Sequence, residues 1–114
     1  MSTKPSTIDY LLDQLASLDR IAARKMFGEY ALYCDQKVVA LVCDDKLYVK
    51  ITEAGKAFNA DSYQEGFAYP GAKASMFIDD DQIEDADWLC ELIQITADSL
   101  PLPKVKKSAS FNRS

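Results

Sequence analysis

At 114 residues the chain has the usual length of one domain, and its 48% hydrophobic and 27% charged residues are typical of a soluble globular protein. A formal net charge of −5 disfavours binding to phosphate backbones, and the absence of histidine excludes Ser-His-Asp and Cys-His catalysis and histidine-containing metal sites. No apolar run approaches the roughly 20 residues that cross a bilayer, and the N-terminus lacks a secretory signal, so we expect a cytoplasmic protein with no membrane span.

The charge is divided unevenly between a body and a short C-terminal segment. Residues 1–100 contain 9 Lys and Arg against 18 Asp and Glu, whereas residues 101–114 contain 4 basic residues and no acid. That last segment is rich in Pro, Lys and Ser and has no periodicity. We therefore predict one domain over residues 1–100, followed by a flexible basic tail over residues 101–114.

The first predicted elements are a helix and a bent strand. Ser6 and Asp9 have the spacing of a capping box, and the apolar residues that follow share one helical face up to about Asp19. Residues 24–34 then alternate around Gly28, which predicts a single strand with a bulge at that glycine.

Two strands and a short helix are predicted next. Residues 38–43 form a β-branched run typical of a central strand, and residues 47–51 alternate, with Leu47, Val49 and Ile51 toward the helices. Thr52 is placed to cap a short helix that ends near Asn59.

The last third predicts a strand pair and a long helix. Residues 67–69 and 75–78 flank a Pro-Gly turn, as in a second antiparallel pair. Asp85 is placed to cap a final amphipathic helix that Pro101 ends. The order is α-β-β-β-α-β-β-α, which predicts a two-layer α+β fold, with a five-stranded antiparallel sheet and helices on one face.

Three cysteines lie in segments predicted to be buried. A hairpin that turns at Asp35-Gln36 would place Cys34 beside the turn and Cys43 too far from it for a disulfide. With Cys90 the number is odd, so we expect free thiols that pack as small hydrophobic groups. Reactive thiolates would require an electropositive pocket that the sequence does not reveal.

Three segments of the chain resemble a known protein family. They are RKMFGEYALY at 24–33, Leu47-Tyr48-Val49-Lys50 and Phe67-Ala68-Tyr69. From about residue 6 to residue 100 the chain resembles the N-terminal domain of the TfoX/Sxy competence regulators. The resemblance implies a small α+β domain with a strongly bent antiparallel sheet.

The same resemblance implies a regulatory role, without catalysis and without a cofactor, in a bacterial cell. Full-length members of the family activate competence genes, acting with the cyclic-AMP receptor protein, and carry a second, C-terminal domain. We expect this chain to be a stand-alone copy of the N-terminal domain whose partner is a protein, the transcription machinery or the cyclic-AMP receptor protein being the candidates. No catalytic, metal or cofactor-binding residue is predicted.

A partner-binding surface is predicted on the sheet face opposite the helices, where Lys25, Tyr33, Tyr48 and Lys50 are expected to cluster. The alternative is a solvated face on which tyrosines pack across strands. Binding of nucleic acid by stacking is a third possibility that the acidic body disfavours, and direct DNA binding is not expected.

Residues 79–87 form an acidic run that could bind a cation. The run does not fit a calcium-binding loop, and we interpret it as a solvated surface that favours the start of the last helix.

Two other classes of function remain open as alternatives to a regulatory binding domain. One is a small enzyme that uses carboxylates or thiols, and the other is a homodimeric structural or adaptor module.

Overall fold

The computed structural model describes residues 3–26 and 29–101. The α-helices are α1 (Pro5–Gln14), α2 (Glu53–Asn59), α3 (Asp80–Glu84) and α4 (Ala86–Ser99), with one 3₁₀ turn at Ala60–Ser62. The strands are β1 (Ile21–Met26), β2 (Glu29–Cys34), β3 (Lys37–Cys43), β4 (Lys46–Val49), β5 (Glu65–Gly66) and β6 (Ser75–Ile78). This arrangement confirms the predicted α+β class.

The strands form one antiparallel sheet in the order β1-β2-β3-β4-β6-β5, with helices packed against one side. Strand residues and helix residues share a single core on that side. Its members are Ile8, Leu11, Leu15, Leu32, Cys34, Val39, Ala40, Val42, Leu47, Val49, Met76, Ile78, Ile83, Leu89, Cys90, Leu92, Ile93 and Ala97.

The sheet has six strands because the segment predicted as one bent strand is a hairpin. β1 and β2 are antiparallel neighbours, and Met26 pairs with Glu29 at the end where the chain reverses. The single strand over 24–34 was therefore wrong. The bulge predicted at Gly28 lies outside the described residues, but a register shift does occur between β2 and β3, where Val39 is the extra residue.

Two tight turns join β2 to β3 and β3 to β4. Asp35 and Gln36 have φ values of 57° and 70°, and Asp44 and Asp45 have values of 53° and 62°. Two consecutive residues with positive φ match the twist of a two-residue hairpin, and Asp tolerates this conformation better than most residues. The predicted turn at Asp35-Gln36 is confirmed.

Other element boundaries differ from the predictions. α1 begins with Pro5 and has no side-chain cap from its own N-terminal segment, so the capping box at Ser6 was wrong, and the helix ends at Gln14. The strand at residues 67–69 was also wrong, because β5 ends at Gly66 and Phe67 is 64% exposed. Ile51 lies beyond β4 and is exposed.

The acidic run forms a separate short helix before the last one. Asp79 accepts a hydrogen bond from the Gln82 backbone N–H at 2.9 Å, and the Gln82 side chain accepts from the Asp79 N–H, which is a capping box for α3. The Asp85 carboxylate accepts from the Trp88 N–H, which confirms the predicted cap of α4. The predicted tail lies outside the described residues, except for Pro101.

Candidate functional site

The side of the sheet away from the helices presents its own row of side chains. Residues paired across antiparallel strands point to the same side, and the register aligns Arg24, Ala31, Leu41, Tyr48 and Phe77. None of the five belongs to the core that the helices cover. The helix-free face, as we define it, consists of Ala22, Arg24, Met26, Glu29, Ala31, Tyr33, Val38, Leu41, Cys43, Lys46, Tyr48, Lys50, Ser75 and Phe77.

Aromatic rings on this face are held by specific contacts. The rings of Tyr48 and Phe77 lie 5.7 Å apart between centroids and are tilted by 51°, a favourable geometry for an aromatic pair. The guanidinium carbon of Arg24 lies 5.4 Å from the centroid of the Tyr33 ring, a cation–π distance. A Cβ at Gly66 would come within 3.1 Å of Tyr48 Cε1, so the glycine makes room for that ring. The face is therefore ordered by its own side chains.

Three of the four predicted contact residues share this face. Tyr33 and Tyr48 lie on it, and Lys50 follows β4 in the same alternation and is exposed. Lys25 pairs with Tyr30 and points to the other side of β1, so its predicted placement was wrong. The error follows from the missed hairpin, because the reversal between Met26 and Glu29 changes which residues share a face.

Arg24 is the basic residue that sequence reasoning missed on β1. In one continuous strand Lys25 and Tyr33 would share a face, whereas in the hairpin Arg24 pairs with Ala31 and lies beside Tyr33. The pairing of Met26 with Glu29 fixes which residues share a face. In the sequence, a glycine between two alternating runs was the signal that could have indicated a hairpin.

The helix-free face is partly covered by the chain itself. Ala31 and Cys43 are only 1% and 6% exposed, although neither belongs to the helix-side core. Ala68 and Tyr69, between β5 and β6, line the same cleft as Cys43. The cleft has a volume of about 450 Å³, and Met26, Glu29, Tyr30 and Leu41 complete its lining. The face therefore combines an open aromatic part with an apolar cleft.

The cysteine thiols lack the environment of a catalytic nucleophile. Cys34, Cys43 and Cys90 are all buried and free, as predicted. Burial, and then the nearby carboxylates of Asp35 and Asp98, raise the pKa of Cys34, and burial followed by Glu29 raises the pKa of Cys43. Both effects favour the protonated thiol, the less nucleophilic form.

The acidic groups of the chain are not arranged as a metal site in the part that the structure describes. Within residues 3–26 and 29–101, no group of three or more cysteine or acidic side chains could hold an ion. Asp79 and Asp85 instead cap helices, as described above. In the same described ranges, no helix combines the length and the hydropathy that a membrane span requires.

Charge differs between the two sides of the molecule. The helix-free face carries Arg24, Lys46 and Lys50 but, among its described residues, a single carboxylate, Glu29. By contrast, residues 79–100, which form α3 and α4 with their caps, contain eight acids and no Lys or Arg. α1 also carries acids only, Asp9 and Asp13. The net negative charge is therefore concentrated on the helical side.

These features define a small α+β domain with helices on one side of an antiparallel sheet and an aromatic and basic opposite face. The TfoX N-terminal domain matches residues 13–100, and the chain belongs to that family. The chain is also 40% identical over 108 residues to a protein of Spirochaeta aurantia named as an uncharacterized 12.7 kDa protein in the trpE 5′ region. That match covers 95% of this chain and 92% of the relative.

Proposed function

We propose that the chain is a regulatory protein without catalytic activity, and that it works by binding another protein through the helix-free face. One observation carries the proposal: aromatic and basic side chains contact one another on a sheet face that no described helix covers. Tyr and Arg are enriched among residues that dominate binding energy at protein interfaces, and ordered side chains lose little entropy on binding.

Membership of the TfoX N-terminal domain family supports the regulatory part of the proposal. On family grounds, we propose that the partner belongs to the transcription machinery, with the cyclic-AMP receptor protein as the first candidate. The net charge of −5 argues for a protein partner over DNA, because a long phosphate backbone is repelled by the field of the whole chain, whereas a protein can contact the helix-free face alone. The protonated state favoured for the buried thiols supports binding over thiol catalysis.

A homodimer is the second candidate, and one observation favours it. β1 is six residues long and pairs with β2 on one side only, so its other edge offers unpaired backbone groups to a second copy. The exposed side chains of Arg24 and Lys25 on this strand oppose such pairing, since charges protect sheet edges. We therefore rank it below a heterologous partner.

Capture from lysate with paired variants tests the proposal. We expect the wild-type protein to retain a specific partner that the double variant Tyr48→Ala, Lys50→Ala loses. Lys25→Ala is the matched control, because it removes a lysine from the other side of β1. Equal recovery of every partner by the wild type and the double variant would refute the role of this face. Light scattering on the same samples reports whether the chain binds its own copy.

A further inference from the structure

The cleft on the helix-free face has the dimensions and lining of a pocket for an apolar side chain. It encloses about 450 Å³ between the end of β1 and the segment that joins β5 to β6. Its apolar walls include Leu41 and Cys43, and at its rim Met26 is 41% and Tyr69 is 55% exposed. Clefts of a few hundred Å³ with mostly apolar walls are typical of binding pockets. Exposed apolar rims of this kind mark binding sites more often than ordinary surface.

Basic side chains adjoin the cleft on the same face. Lys46 pairs with Cys43 across β3 and β4, and Arg24 precedes Met26 by two residues on β1, so both point to the side on which the cleft opens. Both are exposed. A ligand that enters the cleft would therefore meet positive charge at its edge, although the chain as a whole is negative.

The carboxylate that lines the cleft is already engaged within the protein. Glu29 Oε1 accepts hydrogen bonds from Thr3 Oγ1 at 2.6 Å and from the Asp44 backbone N–H at 3.2 Å. Asp44, in the adjoining turn, lies 3.7 Å from Lys46 Nζ in an exposed pair of little energetic weight. The neutral donors leave Glu29 negatively charged, but Arg24, Lys46 and Lys50 outnumber it on the helix-free face. A partner carboxylate can also replace the exposed contact between Asp44 and Lys46.

From this arrangement we propose that the cleft binds an acidic peptide segment of a partner protein, with one large apolar side chain in the cleft and flanking carboxylates against Arg24 and Lys46. The proposal rests on the proposed function and adds the chemistry of the partner. The acidic surface of α3 and α4 would repel the same segment elsewhere on the molecule. Charge therefore directs the acidic segment to the helix-free face, and the cleft determines which residue of the segment is buried.

Fluorescence anisotropy with designed peptides tests the proposal on the full chain. The first probe is a labelled peptide with one leucine between runs of glutamate. Two matched probes replace glutamate by lysine, or leucine by glycine. We expect saturable binding of the first probe, and at least fivefold weaker binding of each matched probe. Added salt should weaken binding of the first probe, because the contacting charges are exposed.

Paired variants locate the binding. We expect Arg24→Glu and Met26→Asp each to weaken the first probe about fivefold, since the changes act on exposed side chains at the edge of the cleft. Lys25→Glu, on the other side of the same strand, and Tyr10→Ala, on α1, should leave binding unchanged. Circular dichroism of each variant establishes that it is folded.

Each remaining outcome overturns the inference in a distinguishable way. If the lysine probe binds as tightly as the glutamate probe, or if neither binds saturably, the acidic partner is wrong, although capture through Tyr48 and Lys50 can still succeed. If Met26→Asp instead dissociates a dimer in sedimentation, the occupant of the cleft is a second copy. If both binding and capture fail, the proposed function falls with the inference.

Discussion

The carboxylate of Asp45 supplies the N-terminal cap that α1 lacks in its own sequence. Lys4, at the cap position, makes no side-chain cap hydrogen bond. Asp45 Oδ1, from the turn between β3 and β4, accepts from the Lys4 backbone N–H at 2.9 Å and from Thr7 Oγ1 at 2.8 Å. These two hydrogen bonds, in that order, lower the pKa of Asp45 because they favour its ionised form. One side chain thus links a hairpin turn to the start of a helix.

Replacement of this carboxylate gives the first prediction. Because the pKa of Asp45 is lower in the folded than in the unfolded chain, its ionised form stabilises the fold above the unfolded-state value of about 3.9, and the effect disappears as the pH falls through the folded-state pKa. We expect Asp45→Asn to lower the melting temperature at pH 7, with a smaller difference at acidic pH. Thermal unfolding across this pH range measures it.

Asp44→Asn is the matched control for that prediction. Asp44 occupies the same turn with a similar positive φ, but its carboxylate contacts Lys46 and not α1. The melting temperature of Asp44→Asn should stay close to that of the wild type. A pH-independent loss of stability in Asp45→Asn would contradict the assigned cap.

At the C-terminal end of α4, a lysine from another element acts as Asp45 does at the N-terminal end of α1. The last turn of α4 contains no basic residue, and Lys37 Nζ, from the start of β3, donates to the Ala97 carbonyl at 2.7 Å. The Leu100 N–H also donates to this carbonyl, at 3.3 Å, so Lys37 adds a second donor to it. A positive charge at the C-terminal end of a helix interacts favourably with its dipole. We expect Lys37→Met to destabilise the protein by about 1 kcal/mol in urea unfolding. Lys46→Met, at an exposed position, should be close to neutral.

At the scale of elements, α2 shows why helix propensity alone does not predict the effect of replacing a glycine inside a helix. Gly55 lies inside this helix, and alanine there would ordinarily stabilise it by about 1 kcal/mol. A Cβ at Gly55 would, however, lie 2.9 Å from Thr52 Oγ1, which accepts the hydrogen bond from the Gly55 N–H that caps the helix. The gain in propensity and the loss of the cap, also worth about 1 kcal/mol, oppose each other.

A double-mutant cycle tests this competition. We expect Gly55→Ala in the wild-type background to leave the free energy of unfolding unchanged or lower, and in the Thr52→Ala background to raise it by up to about 1 kcal/mol. The glycine would then be explained by the cap that it permits. Stabilisation by the same amount in both backgrounds would show that Thr52 and Gly55 are independent.

The elements that sequence reasoning predicted well are those with unambiguous periodicity. β3, β4, β6 and the cap of α4 at Asp85 were located correctly, because long apolar runs and a capping carboxylate leave few alternatives. α3 was missed because the capping box at Asp79 and Gln82 lies within a run of acids that was interpreted as surface.

The errors at the site have a different physical origin. Alternation within residues 24–34 fits one strand or two short strands, since both have a period of two. Lys25 shares a face with Tyr33 only if regular alternation continues through Gly28. The pairing of Met26 with Glu29 shifts the face of every side chain in β1, so Arg24 takes that place. The cover of Cys43 by the segment around Tyr69 is a long-range packing effect that no local pattern records.

At the scale of the whole molecule, the two sides of the sheet differ in packing and in charge. The helical side contains the core and concentrates the acids, while the other side presents fixed aromatic rings, the apolar cleft and three basic residues. The same sheet therefore supplies both a stable framework and a surface whose charge opposes that of the rest of the chain. A surface of this kind favours specific and salt-dependent association with a partner of opposite charge.

Position-specific photo-crosslinking in the cells that produce the chain is the most direct test of the docking role that we propose for the helix-free face. A benzophenone amino acid replaces Lys50 on that face or, as control, Asp13 on α1, both exposed positions. We predict a discrete adduct with another protein from position 50 and none from position 13. Adducts from position 13 alone, or the same adducts from both positions, would contradict the account.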